Sequence, residues 1–155
     1  MTPAIEAARK AKIAHQVHEY AHDPSSESYG AEAAEKLGLA QDRVFKTLVA
    51  ATDGGELVVA VVPVSFMLNM KSLAKAVGAK KSAMAKPADV ERVTGYVLGG
   101  VSPLGQKKRL KTLIDSSAET FPTIYVSAGR RGLQIELNPQ DLKKLTGGGF
   151  AEIGR

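Results

Sequence analysis

Lys46 is the residue whose setting first raises a chemical question. It lies in Val44-Phe45-Lys46-Thr47-Leu48-Val49, which reads as an interior strand. Phe45, Thr47 and Val49 face one way, and Val44, Lys46, Leu48 and Ala50 the other. An unpaired ammonium among apolar neighbours is costly. Either the lysine stem lies along apolar surface with its head in water, or the head meets an anion in a cleft. These residues alone leave both open. A second candidate is His18-Glu19-Tyr20-Ala21-His22, which matches HExxH. Zinc hydrolysis with that motif needs both histidines on one helix face and the glutamate as base. Ile13 to Tyr20 instead alternates as a strand, where residues four apart are roughly 13 Å apart. Ile13, Val17 and Tyr20 also fit helical spacing, but Asp23-Pro24 discourages a continuing helix. Glu32 and Glu35 are poor choices for a third ligand because they lie so near in sequence. Ordinary surface histidines are the preferred reading, with no metal.

Gly99-Gly100-Val101-Ser102-Pro103-Leu104-Gly105-Gln106-Lys107 is the third candidate. A phosphate loop would continue Gly-Lys-Ser/Thr, and Gln106 follows Gly105 here, so the magnesium-binding hydroxyl is missing. Nucleotide hydrolysis is rejected. Adjacent glycines still let a backbone approach a ligand and offer N–H groups to an oxyanion, and they serve equally well in a tight bend.

The elements that must position these residues follow from pattern. Thr2-Pro3 starts a helix to about Lys12, and a strand covers Ile13 to Tyr20. A helix from about Gly30 to Leu37 ends at Gly38. The lysine strand turns at Asp53-Gly54-Gly55 into an apolar strand from Leu57 to Val62. Asn69 caps a helix with Met70, Leu73, Ala74 and Val77 on one face. A short strand around Lys81 to Met84 and a helix starting at Pro87 precede the glycine-rich stretch. After the basic run Lys107-Lys108-Arg109-Leu110-Lys111, a strand is expected at Thr112 to Asp115. A hairpin of Thr123 to Val126 and Leu133 to Leu137 follows. Asn138-Pro139 opens a last helix, ended by Gly147-Gly148-Gly149. Strands in adjacent pairs between helices imply α+β with a mixed sheet rather than strict βαβ alternation.

The 155 residues are one domain's worth, 1–155, without internal repeat or linker. With no cysteine there is no disulfide, thiol nucleophile or thiolate metal site. The net charge of +5 favours an anionic partner such as nucleic acid. Aromatic residues are only 5%, which suits RNA held by backbone contacts better than stacking on single strands. No signal-peptide core or run of ~20 apolar residues is seen. A soluble, cytoplasmic protein is expected.

Four segments together carry a family resemblance. They are Val44-Phe45-Lys46-Thr47-Leu48; Thr94-Gly95-Tyr96 leading to the Gly99–Gly105 stretch; Ile124-Tyr125-Val126-Ser127; and Arg131-Gly132-Leu133-Gln134-Ile135-Glu136-Leu137. In order and spacing they resemble the YbaK-type Cys-tRNA(Pro) deacylases, relatives of the editing domain inserted in bacterial prolyl-tRNA synthetases. The resemblance runs from Thr2 to about Ile153. It implies a mixed β-sheet forming a partly closed barrel flanked by helices. It also implies hydrolysis of cysteine from mischarged tRNA(Pro) in complex with prolyl-tRNA synthetase, with no cofactor and no role for DNA or membrane. The implied pocket comprises Tyr20, Tyr29, Lys46, Thr47, Gly99, Gly100, Ser102 and Ser127. Lys46 is the key polar group by resemblance. Gln134 stands where the family often has Asp, and Tyr29 where it often has Phe.

An aminoacyl ester is already activated, so positioning and oxyanion stabilisation can suffice without a Ser-His-Asp arrangement. On this reading Lys46 anchors the terminal ribose or phosphate, or polarises the carbonyl. N–H groups at Gly99 and Gly100 hold the oxyanion, and water or the substrate's own thiol attacks. Two alternatives remain: editing of alanine or another small amino acid, and a non-catalytic module that binds tRNA or the synthetase.

Overall fold

The computed structural model describes residues 1–26 and 28–155. The chain runs through α1 (Pro3–Lys10), β1 (His15–Glu19), α2 (Tyr29–Leu37), β2 (Phe45–Thr52), β3 (Leu57–Pro63), α3 (Met70–Ala76) and β4 (Ser82–Met84). It continues through α4 (Pro87–Thr94), β5 (Lys111–Asp115), a 3-10 helix (Ser116–Thr120), β6 (Ile124–Ser127), β7 (Leu133–Leu137), α5 (Pro139–Thr146) and β8 (Gly149–Ala151). The expected caps form. Thr2, Asn69 and Asn138 each accept a hydrogen bond from a first-turn N–H, of Ile5, Ser72 and Gln140 respectively.

Two sheets result. β1, β7 and β6 form an antiparallel sheet in that order. β4, β2, β3, β5 and β8 form a mixed sheet, antiparallel from β4 to β3 and parallel from β3 to β8. This is the expected α+β arrangement with helices on its flanks, but the barrel is not closed. The sheets meet through a bridge between Val44 and Tyr125, and their remaining edges stay separate. The 3-10 helix and β8 were not anticipated. Both are too short to show periodicity, and β8 begins at Gly149, a residue expected to end a helix.

Core packing sets which way each strand faces. Phe45, Val49, Val59 and Val61 pack between the sheets against Ile124, Val126, Ile135 and Leu137, with Ala4, Ala8 and Leu142 closing this core. On the far face of the large sheet, Ala50, Val58, Ala60 and Val62 pack on Leu73 of α3. β3 is therefore covered on both faces, which explains its unbroken apolar run. A third cluster joins Val44 and Tyr125 to Ala33 and Ala34 of α2. It fixes α2 over the seam between the sheets.

Candidate active site

The seam leaves a gap in strand pairing. β2 pairs with β3 along Phe45–Ala51, but on its other side β4 covers only Ala50–Thr52. The Tyr125 N–H donates to the Arg43 carbonyl at 3.1 Å, and the Ala85 N–H donates to the Val49 carbonyl at 3.0 Å. Antiparallel alternation turns the N–H and C=O of every second residue away from β3. Thr47, between Arg43 and Val49 and in the same alternation as both, thus presents its main-chain N–H and C=O to the unpaired interval.

A cavity of about 730 Å³ opens along this edge, lined by Tyr20, Tyr29, Lys46, Thr47, Gly99, Ser127 and Gln134 among others. Lys46 shares a face with Val44, toward α2 and the β6–β7 hairpin. Thr47 shares the other face with Phe45 and Val49, where Val90 and Val101 add apolar wall. The Thr47 Oγ1 and Gln134 Oε1 atoms are buried without a hydrogen-bond partner. Among the described residues no carboxylate lies within ion-pairing distance of Lys46. Burial lowers the Lys46 pKa below the ordinary lysine value, because a half-buried ammonium loses hydration and gains no counter-charge. Burial raises that of the Tyr20 phenol. Arg130 and Arg131 join the lining, so the cavity wall carries positive charge.

Tyr29, at the start of α2, is held closely by Arg131 and by the loop at Gly99. The Arg131 guanidinium carbon lies 3.7 Å from its ring centroid. Gly99, at φ +90°, comes so close that a Cβ there would sit 2.7 Å from Tyr29 Cε2. Only glycine fits both that conformation and that approach. Arg131 also donates to the Ser26 carbonyl at 3.1 Å. The arginine pair at the hairpin tip, between Gly129 and Gly132, was the signal available in the sequence.

Two expected members do not reach the cavity wall. The Gly100 N–H donates to the Val97 carbonyl at 2.9 Å, so it is unavailable to an oxyanion. A Cβ on Gly100 would lie 2.8 Å from the Arg130 Cα, which makes close backbone packing the reason for this glycine. Ser102 is fully buried, and its Oγ accepts from the Leu104 N–H at 3.2 Å. It shapes the loop, as does Tyr96, whose hydroxyl donates to the Leu104 carbonyl at 2.6 Å. Burial pushes the Tyr96 pKa up to about 12.

The HExxH pair divides between two carboxylates. His18, in β1, bonds Glu136 at 2.9 Å, and His22, beyond the strand, bonds Glu32 at 2.9 Å. Burial opposes ionisation of Glu136, but hydrogen bonds from Thr123, His18 and Tyr125 outweigh it and lower its pKa. The strand reading accounts for the separation of the histidines.

The aminoacyl-tRNA editing domain profile matches residues 23–145. The chain belongs to this aminoacyl-tRNA editing-domain family. An Enterococcus faecalis relative, provisionally named Cys-tRNA(Pro)/Cys-tRNA(Cys) deacylase EbsC, is 43% identical over 98% of this chain and 92% of its own length. Proline–tRNA ligase of Trichlorobacter lovleyi is 34% identical over 69% of this chain but only 18% of the ligase. In fold, this editing-domain chain superposes on a crystal structure described provisionally as a trans-editing enzyme for prolyl-tRNA synthetase. The TM-score is 0.82 at 23% identity, covering 100% of this chain and 99% of the other. No described helix is long and apolar enough to cross a membrane.

Proposed function

We propose that this chain is a trans-acting deacylase that hydrolyses the ester of mischarged Cys-tRNA(Pro), working beside prolyl-tRNA synthetase in the cytoplasm. The observation that carries the reading is Lys46: a lysine with no counter-charge among the described residues, on a strand with an unpaired edge, lining a cavity in an aminoacyl-tRNA editing-domain protein. An anionic ligand would restore the electrostatic balance that the fold leaves open. The terminal ribose-phosphate of a tRNA supplies such a ligand, and its ester then lies along the β2 edge. The cationic lining disfavours bound cations and suits the negative charge that develops on the carbonyl oxygen during attack.

The Thr47 N–H, facing the interval beside Lys46, is the main-chain donor assigned to the oxyanion in place of Gly100. Lys46 polarises the carbonyl or holds the ribose-phosphate. The attacking group is water or the substrate's own thiol. The similarity to EbsC over nearly the whole chain supports the cysteinyl substrate. The similarity to part of a proline–tRNA ligase supports the link to that synthetase.

The test is deacylation of Cys-tRNA(Pro) and Ala-tRNA(Pro) side by side, with Lys46→Ala as control. Loss of the cysteinyl ester alone, abolished in the variant, is the expected result. Full activity in Lys46→Ala would remove the lysine from the mechanism. Tight tRNA binding without faster ester loss would make the protein a binding module.

A further inference from the structure

We propose that Glu32 is a positioning residue of the deacylase site: it fixes the spacing of the cavity's two tyrosine walls, Tyr20 and Tyr29, and so holds the ester in register with the β2 edge. The inference rests on the deacylase reading. Tyr20 follows β1 and Tyr29 opens α2, so their spacing depends on how residues 20–23 are tied to the helix. Tyr20 packs on the cluster of Ala33 and Ala34, a contact without directional preference. The directional ties converge on Glu32, in the first turn of α2 and only 6% exposed. Its Oε1 accepts from His22 Nδ1 at 2.9 Å, and its Oε2 accepts from the Asp23 N–H at 2.8 Å. Lys36 Nζ lies 3.4 Å from the same Oε2 and donates to the Ala21 carbonyl. Three consecutive residues, 21 to 23, are thus held by one carboxylate and its lysine. Every described hydrogen bond between residues 20–23 and α2 goes to one of these two side chains.

The same unit is closed from its other side. The Tyr20 N–H donates to the Gly132 carbonyl at 3.0 Å, and Arg131, the adjacent residue, stacks on Tyr29. Tyr20, Glu32, Tyr29, Arg131 and Gly132 therefore close a ring of contacts around one wall of the cavity. Tyr20, Tyr29 and Arg131 line that cavity, whereas Glu32, His22, Asp23 and Lys36 lie behind the lining. Glu32 accordingly acts through the tyrosines and not on the substrate. The hydrogen bond from His22 lowers its pKa against the opposing effect of burial, so the carboxylate is held ionised. A buried ion pair is a poor source of stability, since apolar residues of the same volume often serve as well. Charge-assisted hydrogen bonds do supply fixed direction. Direction is what a positioned ester requires, because a misplacement of about 1 Å can cost on the order of a hundredfold in rate.

The experiment measures kcat and KM separately for Cys-tRNA(Pro), well below the melting temperature, together with Tm. The proteins are the wild type, Glu32→Gln, His22→Ala, Tyr29→Ala and the double variant Glu32→Gln/Tyr29→Ala. Glu32→Gln keeps the side-chain volume and one acceptor but loses the charge. His22→Ala leaves Glu32 its Asp23 and Lys36 partners and repeats the cycle should the glutamine variant not fold. Both are expected to lower kcat by on the order of tenfold while KM changes by no more than about twofold, the pattern of a lost transition-state alignment. In the Tyr29→Ala background, where one wall is already gone, Glu32→Gln is expected to cost little further kcat. A lowered Tm with unchanged kcat identifies Glu32 as a structural tie and overturns the assignment, while the wild-type hydrolysis leaves the deacylase reading intact. An equal loss of kcat in both backgrounds shows that Glu32 does not act through Tyr29 and also overturns it. No hydrolysis by the wild type overturns both.

Discussion

The Tyr29 clamp yields a prediction whose size can be worked from geometry. Gly99→Ala introduces two separable costs. The backbone at φ +90° is a region that side-chain-bearing residues rarely occupy, and holding alanine there costs about 1–3 kcal/mol. The new Cβ also lies 2.7 Å from Tyr29 Cε2, 3.0 Å from Cδ2 and 3.1 Å from Cζ, so the ring must move. Moving it surrenders the stack with Arg131 at 3.7 Å, worth about 0.5–1 kcal/mol at a partly exposed site. The two together destabilise the protein by about 1.5–4 kcal/mol, or roughly 5–15 °C in Tm for a chain of this size. The assay is urea denaturation of the wild type, Gly99→Ala, Tyr29→Ala and the double variant. In the Tyr29→Ala background the ring is gone, so only the backbone cost of Gly99→Ala remains. A favourable coupling of about 1 kcal/mol is expected from the cycle. Deacylation falls in both single variants, because the ring and the arginine are displaced from the cavity mouth. Equal costs of Gly99→Ala in the two backgrounds would refute the contact, and a cost below about 0.5 kcal/mol would refute the backbone argument as well.

Three further outcomes follow from other sites. Lys46→Met is expected to raise thermal stability at neutral pH while abolishing deacylation. A lysine whose folded pKa is depressed binds fewer protons in the native than in the unfolded state, so its penalty is present at neutral pH. That penalty fades as pH rises through the folded and then the unfolded lysine values. The stability gap between variant and wild type should therefore narrow on the alkaline side, and a constant gap in a pH series of melting curves would contradict the burial argument. Asp115→Ala removes the acceptor for the Ile153, Gly154 and Ser117 N–H groups, at 3.1, 3.0 and 3.2 Å, two of them on the terminal segment. A loss of about 3 kcal/mol with early proteolysis near the C-terminus is expected, and intact resistance to protease would argue against that anchor. Lys108 and Arg109 line a groove with Ala7 and Thr146, and no described carboxylate pairs with either. Replacing both with alanine should weaken tRNA binding and flatten the log Kd against log salt slope by about 1.5. An unchanged slope would place the RNA backbone elsewhere.

The parts of the fold that were legible were those whose local signals agree with their tertiary setting. The Thr2-Pro3, Asn69 and Asn138-Pro139 starts were read from capping chemistry and form those caps. The β2–β3 hairpin was read from alternation, an apolar run and Asp53-Gly54-Gly55, and the two strands pair antiparallel. The boundaries moved only slightly. β1 is shorter than Ile13 to Tyr20, and α2 begins at Tyr29 rather than Gly30. What escaped was relational. Whether a strand edge is paired depends on partners distant in sequence, so the opening beside Lys46–Leu48 cannot be read from those residues.

The same distinction separates the glycines. Gly99 and Gly100 are adjacent and chemically identical, and the sequence gives no reason to treat them differently. In the fold Gly99 supports the Tyr29 ring at the cavity, while Gly100 packs on the Arg130 backbone with its N–H consumed by a turn. Likewise Arg130 and Arg131 read as one basic pair. Arg130 remains mostly exposed near Glu19, whereas Arg131 is bent inward onto Tyr29 with its Nε buried. A sequence motif thus names the residue types that a site needs. The direction each N–H and guanidinium takes is set by the seam at Val44–Tyr125, where α2, the β6–β7 hairpin and the free edge of β2 meet. A substitution that shifted this seam would disturb the cavity without touching any of its polar groups.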